Sequence, residues 1–292
     1  MAIPAISVVV IARDEGKELR LTVENLEDTL PARSEILVID DGSRDGSAGF
    51  LNQRRGRKVR VKRSHELGVA RTRNFGARHT TGEVIVFADA HIRLERLWWQ
   101  PLVEALENPS VGAVAPAVTN LSRTMKMGYG WTLTGPDFET KWLPRKSSEP
   151  FAAPILPGAC VAVRRERFEA AGRWDEGLLV RGGVDNEFGL RLWLLGWDLL
   201  IVPSVEIRHK FRRRAPYPVQ WLEYIHNCLR YAFAHLKPER LAAVVLAMRK
   251  HPEFGAALAL VVERDVAARR REMMTRRIRD DDWYFERFGL RW

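Results

Sequence analysis

The sequence predicts an α/β fold: a doubly wound sheet with helices on both faces, followed by a helical C-terminal region. Three observations carry this. Short β-branched runs without polar interruption alternate with helical stretches, and acidic residues recur directly after those runs. From about Pro218 onward the pattern turns helical and arginine-rich.

Each element follows from its residues. Ile6 to Ile11 (ISVVVI) reads as a strand buried on both faces, ending in Arg13-Asp14-Glu15-Gly16. A helical pattern then runs to about Leu30, where Pro31 stops it. Glu35 to Ile39 is a second buried strand closing on Asp40-Asp41-Gly42-Ser43, and a weaker strand covers Lys58 to Lys62. Gly68 to Asn74 reads as a loop entering a helix, and Glu83 to Ala88 as a fourth strand ending at Asp89-Ala90-His91. The spacing indicates parallel βαβ units. Val118 to Pro154 has few strand signals and carries Trp131 and Trp142; a long irregular stretch of this kind is usually functional or mobile. Pro157 to Val163 forms a small-residue strand, Arg165 to Ala171 a short helix, and Gly182-Gly183 opens another helix ending near Gly196. After a strand at Leu199 to Val202, Ile207 to Arg214 leads into helices broken near Pro238, Pro252 and Gly255.

Composition sets the outer limits. At 292 residues and 46% hydrophobic content the chain has ample core for one large domain or two modest ones. Its net charge of +10 favours anionic partners, whether phosphorylated ligands, nucleic acid or a lipid surface, without choosing among them. Two cysteines, Cys160 and Cys228, exclude a disulfide framework and a four-thiolate zinc site, and are expected to pack as small hydrophobes. No apolar run reaches the ~18–20 residues of a membrane span. The start lacks the features of a signal peptide, so the expectation is a cytoplasmic protein.

Asp14, Asp40, Asp41, Asp89 and His91 all follow the carboxyl ends of expected strands, the edge at which open α/β sheets bind ligands. Helix capping is the competing account of Asp14. The two-residue spacing of Asp89 and His91 turns both side chains the same way in an extended segment. A carboxylate and an imidazole, with a third ligand from elsewhere, suit a divalent cation such as Mn2+; a capped turn with a surface histidine is the alternative.

At these residues the chain resembles family-2-type glycosyltransferases of the GT-A (Rossmann-like) fold: an initial buried strand, the Asp-Asp-Gly-Ser context at 40–43, and a G-x-x-x-x-R-N segment from Gly68 to Asn74. Three segments are more specifically similar to the polypeptide N-acetylgalactosaminyltransferases. These are Asp89-Ala90-His91 followed by Trp99-Gln100-Pro101-Leu102; Trp174-Asp175-Glu176-Gly177 through Gly182-Gly183 to Arg191-Leu192-Trp193; and His209-Lys210-Phe211-Arg212-Arg213 with Pro216-Tyr217. The order holds from about residue 6 to 217, which sets the expected domain at 1–217 and a helical extension at 218–292. That tail is too short and too helical for a lectin-like second domain.

The resemblance implies a metal-dependent transferase moving a hexose or N-acetylhexosamine from a UDP-sugar to an acceptor hydroxyl or thiol, on a peptide or protein, or on a polysaccharide or lipid-linked glycan. Asp89, His91 and His209 would bind Mn2+, with Mg2+ as an alternative. Asp40 or Asp41 would bind uracil or ribose, with Arg13 to Glu15 lining the same pocket and Gly158 and Gly183 among the nucleotide-sugar-binding residues. Arg71 and Arg73 would contact the nucleotide or form salt bridges; Arg212 and Arg213 would meet phosphate oxygens or form a solvated basic face. Where the peptide transferases have Trp, Glu and Asn, this chain has Arg181, Val184 and Asp185. Asp185 suits a general base in an inverting displacement, with the stereochemistry left open; Glu187 is a second candidate, for which first-turn placement favouring the helix dipole is the simpler account. Trp131, Trp142 and Trp174 would stack on sugar or acceptor, or fill the core.

For the tail, the seven arginines among Arg264, Arg269, Arg270, Arg271, Arg276, Arg277 and Arg279 offer a solvated face, an oligomer contact or peripheral membrane binding. A nucleotidyltransferase would show a glycine-rich loop early in the chain, whereas Ala12 to Gly16 is acidic. A non-enzymatic nucleic-acid binder has no use for Asp89, His91 and His209, so no specific nucleic-acid partner is expected.

Overall fold

The computed structural model describes residues 3–53, 58–212, 216–218 and 220–292. In chain order the elements are β1 (Ile6–Ala12), α1 (Lys17–Thr29), β2 (Ser34–Asp41), β3 (Val59–Ser64), α2 (Val69–Arg78), β4 (Val84–Asp89), β5 (Ile92–Leu94), α3 (Trp99–Ala105) and β6 (Val111–Asn120). They continue with β7 (Trp131–Leu133), β8 (Thr140–Trp142), β9 (Phe151–Ala152), β10 (Cys160–Arg164), α4 (Arg165–Ala170), α5 (Val184–Leu194) and β11 (Asp198–His209). Five helices follow: α6 (Trp221–His235), α7 (Pro238–Met248), α8 (Phe254–Glu263), α9 (Val266–Arg276) and α10 (Asp281–Phe288).

One mixed sheet runs β3-β2-β1-β4-β10-β6-β11-β5, with β9 on β11. The expected parallel βαβ half is β3-β2-β1-β4. Beyond it the sheet departs from the parallel pattern, because β10 pairs antiparallel with both β4 and β6. The physical reason is the connection: β10 follows the 121–159 segment, which holds no crossover helix, and a parallel neighbour requires one. That segment contributes the β7–β8 hairpin instead.

Strand β11 extends well past the expected Leu199–Val202. Its pairing with β6 shifts register between Val202 and Glu206, around Pro203, which has no N–H for the ladder, and then continues to His209. The shift hides the second half of the strand from a pattern reading and delivers His209 to the sheet edge.

The two faces of the sheet bury separate apolar clusters. On one, Val8, Val10 and Val38 pack against Leu19, Val23 and Leu26 of α1 and Leu102 of α3. On the other, Val9, Leu37 and Phe87 share a cluster with Phe168, Phe188 and Trp193, and this cluster runs on through Ile225, Leu229, Val244, Val261 and Phe285 of the C-terminal helices. Those helices therefore bury their apolar faces against the sheet's own core. Among the described residues no helix is long and apolar enough to cross a membrane.

Candidate active site

The carboxyl ends of β1, β2 and β4 open into a cleft lined by Arg13, Glu15, Asp41, Arg73, Asp89 and His91 from the N-terminal half. Gly158, Arg181 to Asn186, His209 to Arg212, Tyr217 and Tyr224 close it from the other side.

Three potential ligands meet on its floor. Asp89 ends β4; His209 ends β11 in register with Ile92 of β5, one residue from His91. Lys210 N–H donates to the His91 carbonyl at 3.0 Å, fixing the two segments together. His209 Nε2 lies 3.2 Å from Asp89 Oδ2, and the histidine rings are 4.6 Å apart between centroids. One ligand atom from each of Asp89, His91 and His209 falls within 4.8 Å of the others. Burial opposes ionisation of Asp89, but the His209 hydrogen bond and the charges of His91, His209 and Arg73 prevail and hold it at about 2.

Glu15 orients this cluster from the loop after β1. It bonds His91 Nδ1 at 2.9 Å, which leaves Nε2 as the nitrogen open to a metal, and accepts from both Nη1 and Nη2 of Arg212. Burial raises the Glu15 pKa, and the His91 and Arg212 contacts more than offset it. Arg212 is thus held at the cleft by an ion pair; Arg213 lies outside the described residues. Arg13 pairs with Glu66 at 2.8 Å and lies over the Tyr217 ring.

Of the two β2 aspartates, Asp41 lines the cleft and accepts from the Ser64 hydroxyl and the backbone N–H of Leu67 and Gly68, which sets the turn into α2. Asp40 accepts from Ser43 N–H and lies 3.8 Å from Arg63, outside the cleft lining. Asp14 is a loop brace: Oδ1 accepts from the N–H of Arg44 and Asp45, while Gly16 caps α1.

Arg73 is the hinge of the opposite wall. Only 3% exposed, it lies over Trp174 and donates to Asp185 Oδ1 at 2.8 Å and to the Gly158 carbonyl at 2.8 Å. Arg71 turns away to the Glu176 carbonyl and does not reach the cleft lining. Asp185 stands in the first turn of α5 with a quarter of its side chain exposed. Its surroundings still raise its pKa by burial, against the pull of Arg73. The preceding loop is tied to α6 through its backbone. Gly183 adopts φ 68° at the helix N-cap, and Asn227 of α6 donates to the carbonyls of Leu179, Arg181 and Gly182.

A family model described as "Glycosyl transferase family 2" matches residues 7–172. The chain belongs to glycosyl transferase family 2. This family 2 chain is 32% identical over 260 residues to polypeptide N-acetylgalactosaminyltransferase 11 of Xenopus tropicalis, covering 79% of itself and 42% of that protein. It is 30% identical over 238 residues to polypeptide N-acetylgalactosaminyltransferase 15 of Homo sapiens, covering 73% and 37%. It therefore spans about two-fifths of the length of the curated relatives it matches. Among solved structures, GalNAc-T7 with UDP, GalNAc and Mn2+ superposes with a TM-score of 0.82 at 22% identity, over 98% of this chain and 57% of that one. A mannosyltransferase from Pyrobaculum calidifontis in complex with GDP-Man and Mn2+ gives 0.58 at 19%, over 99% and 84%. The fold is GT-A.

In this family 2 chain the remaining expected site residues divide. Trp131 and Trp142 line the cleft edge to face, 5.1 Å apart, whereas Trp174 is 1% exposed and stacks on Phe188 in the core. Glu187 is not in the cleft. It is fully buried, clamped by Arg191 at 2.7 and 2.8 Å and by His235 at 3.0 Å, because α5 turns it inward against α6. Cys160 and Cys228 are free and buried, their thiols pushed up to about 12. The C-terminal arginines are mostly spent inside the molecule. Arg269 pairs with Glu272, Arg270 bonds the Phe233 and Leu236 carbonyls, Arg276 the Ala170 carbonyl, and Arg279 lies over Trp283. Arg264 and Arg271 stay exposed.

Tyr224 and Glu139 are among the lining residues outside the sequence expectation. Tyr224 comes from α6, packs on Gly182 and donates to the Asp137 carbonyl at 2.8 Å; Glu139 follows it on the β7–β8 connection. Neither carries a local signal, since packing alone brings them to the cleft.

Proposed function

We propose that this chain is a Mn2+-dependent transferase that moves a hexose or N-acetylhexosamine from a UDP-sugar to a hydroxyl on a peptide or protein. The carrying observation is the Asp89–His91–His209 cluster at the strand ends, with ligand atoms within 4.8 Å. The donor set fits the metal: one carboxylate and two imidazoles suit a cation of intermediate character. His91 has its second nitrogen bonded to Glu15, and Nδ1 of His209 is buried without a hydrogen-bond partner. A divalent cation there supplies Lewis-acid stabilisation of the leaving diphosphate.

The chain's own residues do the rest. Asp41 receives the uridine at the end of β2, and Arg212, held by Glu15, would meet the diphosphate. Asp185 accepts the acceptor's proton at Oδ2, its Oδ1 being engaged by Arg73; one carboxylate in that place supports an inverting displacement. The likeness to N-acetylgalactosaminyltransferases named for polypeptides supports the peptide acceptor. Calorimetric titration of UDP with Mn2+, repeated with EDTA, tests the donor half. Binding that needs the metal is expected, and its absence in both conditions would sink the UDP-sugar reading.

A further inference from the structure

The cations of the cleft are unequally used. Arg13 is paired with Glu66, Arg73 with Asp185, Arg212 with Glu15 and Lys210 with Glu18. Arg181 lines the same cleft, is exposed, and among the described residues has no ion-pair partner. Its backbone, by contrast, is pinned. Asn227 donates to its carbonyl, Val69 N–H bonds the Val180 carbonyl at 2.9 Å, and Gly68 and Gly182 pack so closely that a Cβ would lie 2.5 Å from Val180 Cα and 2.8 Å from Tyr224. A fixed backbone carrying a free guanidinium, four residues before Asp185, presents charge to whatever approaches that carboxylate.

We propose that Arg181 selects an acidic peptide acceptor, forming a charge-assisted bond to a carboxylate beside the accepting hydroxyl. This rests on the peptide-transferase reading above.

The test uses threonine peptides that differ only in Glu, Gln or Lys beside the threonine, with UDP-N-acetylgalactosamine and Mn2+. The wild type should prefer the Glu peptide over the Lys peptide by about tenfold or more in kcat/KM, an advantage that shrinks in about 0.5 M salt. Arg181→Gln should erase the preference and Arg181→Glu reverse it. Fluorescence anisotropy with the same peptides, labelled and without donor, should show the same ranking. Binding indifferent to peptide charge, or a preference that survives Arg181→Glu, overturns the inference. UDP calorimetry on the same preparations reports the donor reading separately: normal UDP binding with no peptide bound or modified overturns the peptide acceptor and this inference together.

Discussion

The Asp185 carboxylate rests directly on the α-carbon of Gly158, where a Cβ would lie 2.3 Å from both of its oxygens. Only glycine at 158 lets the carboxylate sit beside Arg73, whose other arm holds the Gly158 carbonyl. Gly158→Ala should therefore fold and bind UDP with Mn2+, yet lose about 100-fold in transfer rate, the cost of an ångström's misplacement of a reacting group. Steady-state kinetics beside UDP calorimetry checks this; undiminished transfer would detach Asp185 from the chemistry.

Arg73 opposes the burial that raises the Asp185 pKa. A base must be ionised, so activity falls as pH drops through that value. Removing Arg73 leaves burial unopposed and raises it further. The acid limb of the kcat/KM profile should move to higher pH in Arg73→Gln and return partway in Arg73→Lys. A limb that stays in place would assign it to another group.

Asp89→Ala and His209→Ala each remove one of the three candidate ligands. Both should abolish metal-dependent UDP binding, with circular dichroism and thermal unfolding close to wild type. Retained binding that EDTA still abolishes would place the metal elsewhere.

Glu187, with Arg191 and His235, predicts acid lability. Burial raises the Glu187 pKa, but Arg191 and His235 outweigh it and leave it well below 4.5; burial lowers that of His235 from 6.5. Both groups bind protons more readily unfolded than folded. Their stabilisation is therefore present above the unfolded values and lost as pH falls, His235 first below about 6.5 and Glu187 below about 4.5. Glu187→Gln strands a buried arginine and should cost about 3–5 kcal/mol. Denaturant melts at pH 7 and pH 5 test it; a variant with the same pH slope as wild type would contradict the assignment.

Local pattern made much of this legible. Strands β1, β2 and β4 are uninterrupted apolar runs, so their burial and the exit of Asp40, Asp41 and Asp89 at one edge follow from neighbours in sequence alone. The Asp-x-His pair, the Gly-Gly entry to α5 and His209 were likewise readable as motifs. Beyond Val202 the period breaks at Pro203, and the strand that seats His209 became visible only through its pairing with β6 and β5.

The sequence by itself determined the fold class, the edge at which the site lies and the Asp89–His91 pair, since each depends on residue type and short spacing, whereas His209 entered through the family resemblance. Tertiary structure decided the partners. Arg73 found Asp185 across 112 residues and Arg212 found Glu15 across 197, while Arg71 and Glu187 went to structural contacts. It also turned most of the arginines of the C-terminal helices inward and left Arg181 without an ion-pair partner among the described residues. Such choices follow from which surfaces collapse together, and a charge takes the partner that packing brings within reach, which no local pattern encodes.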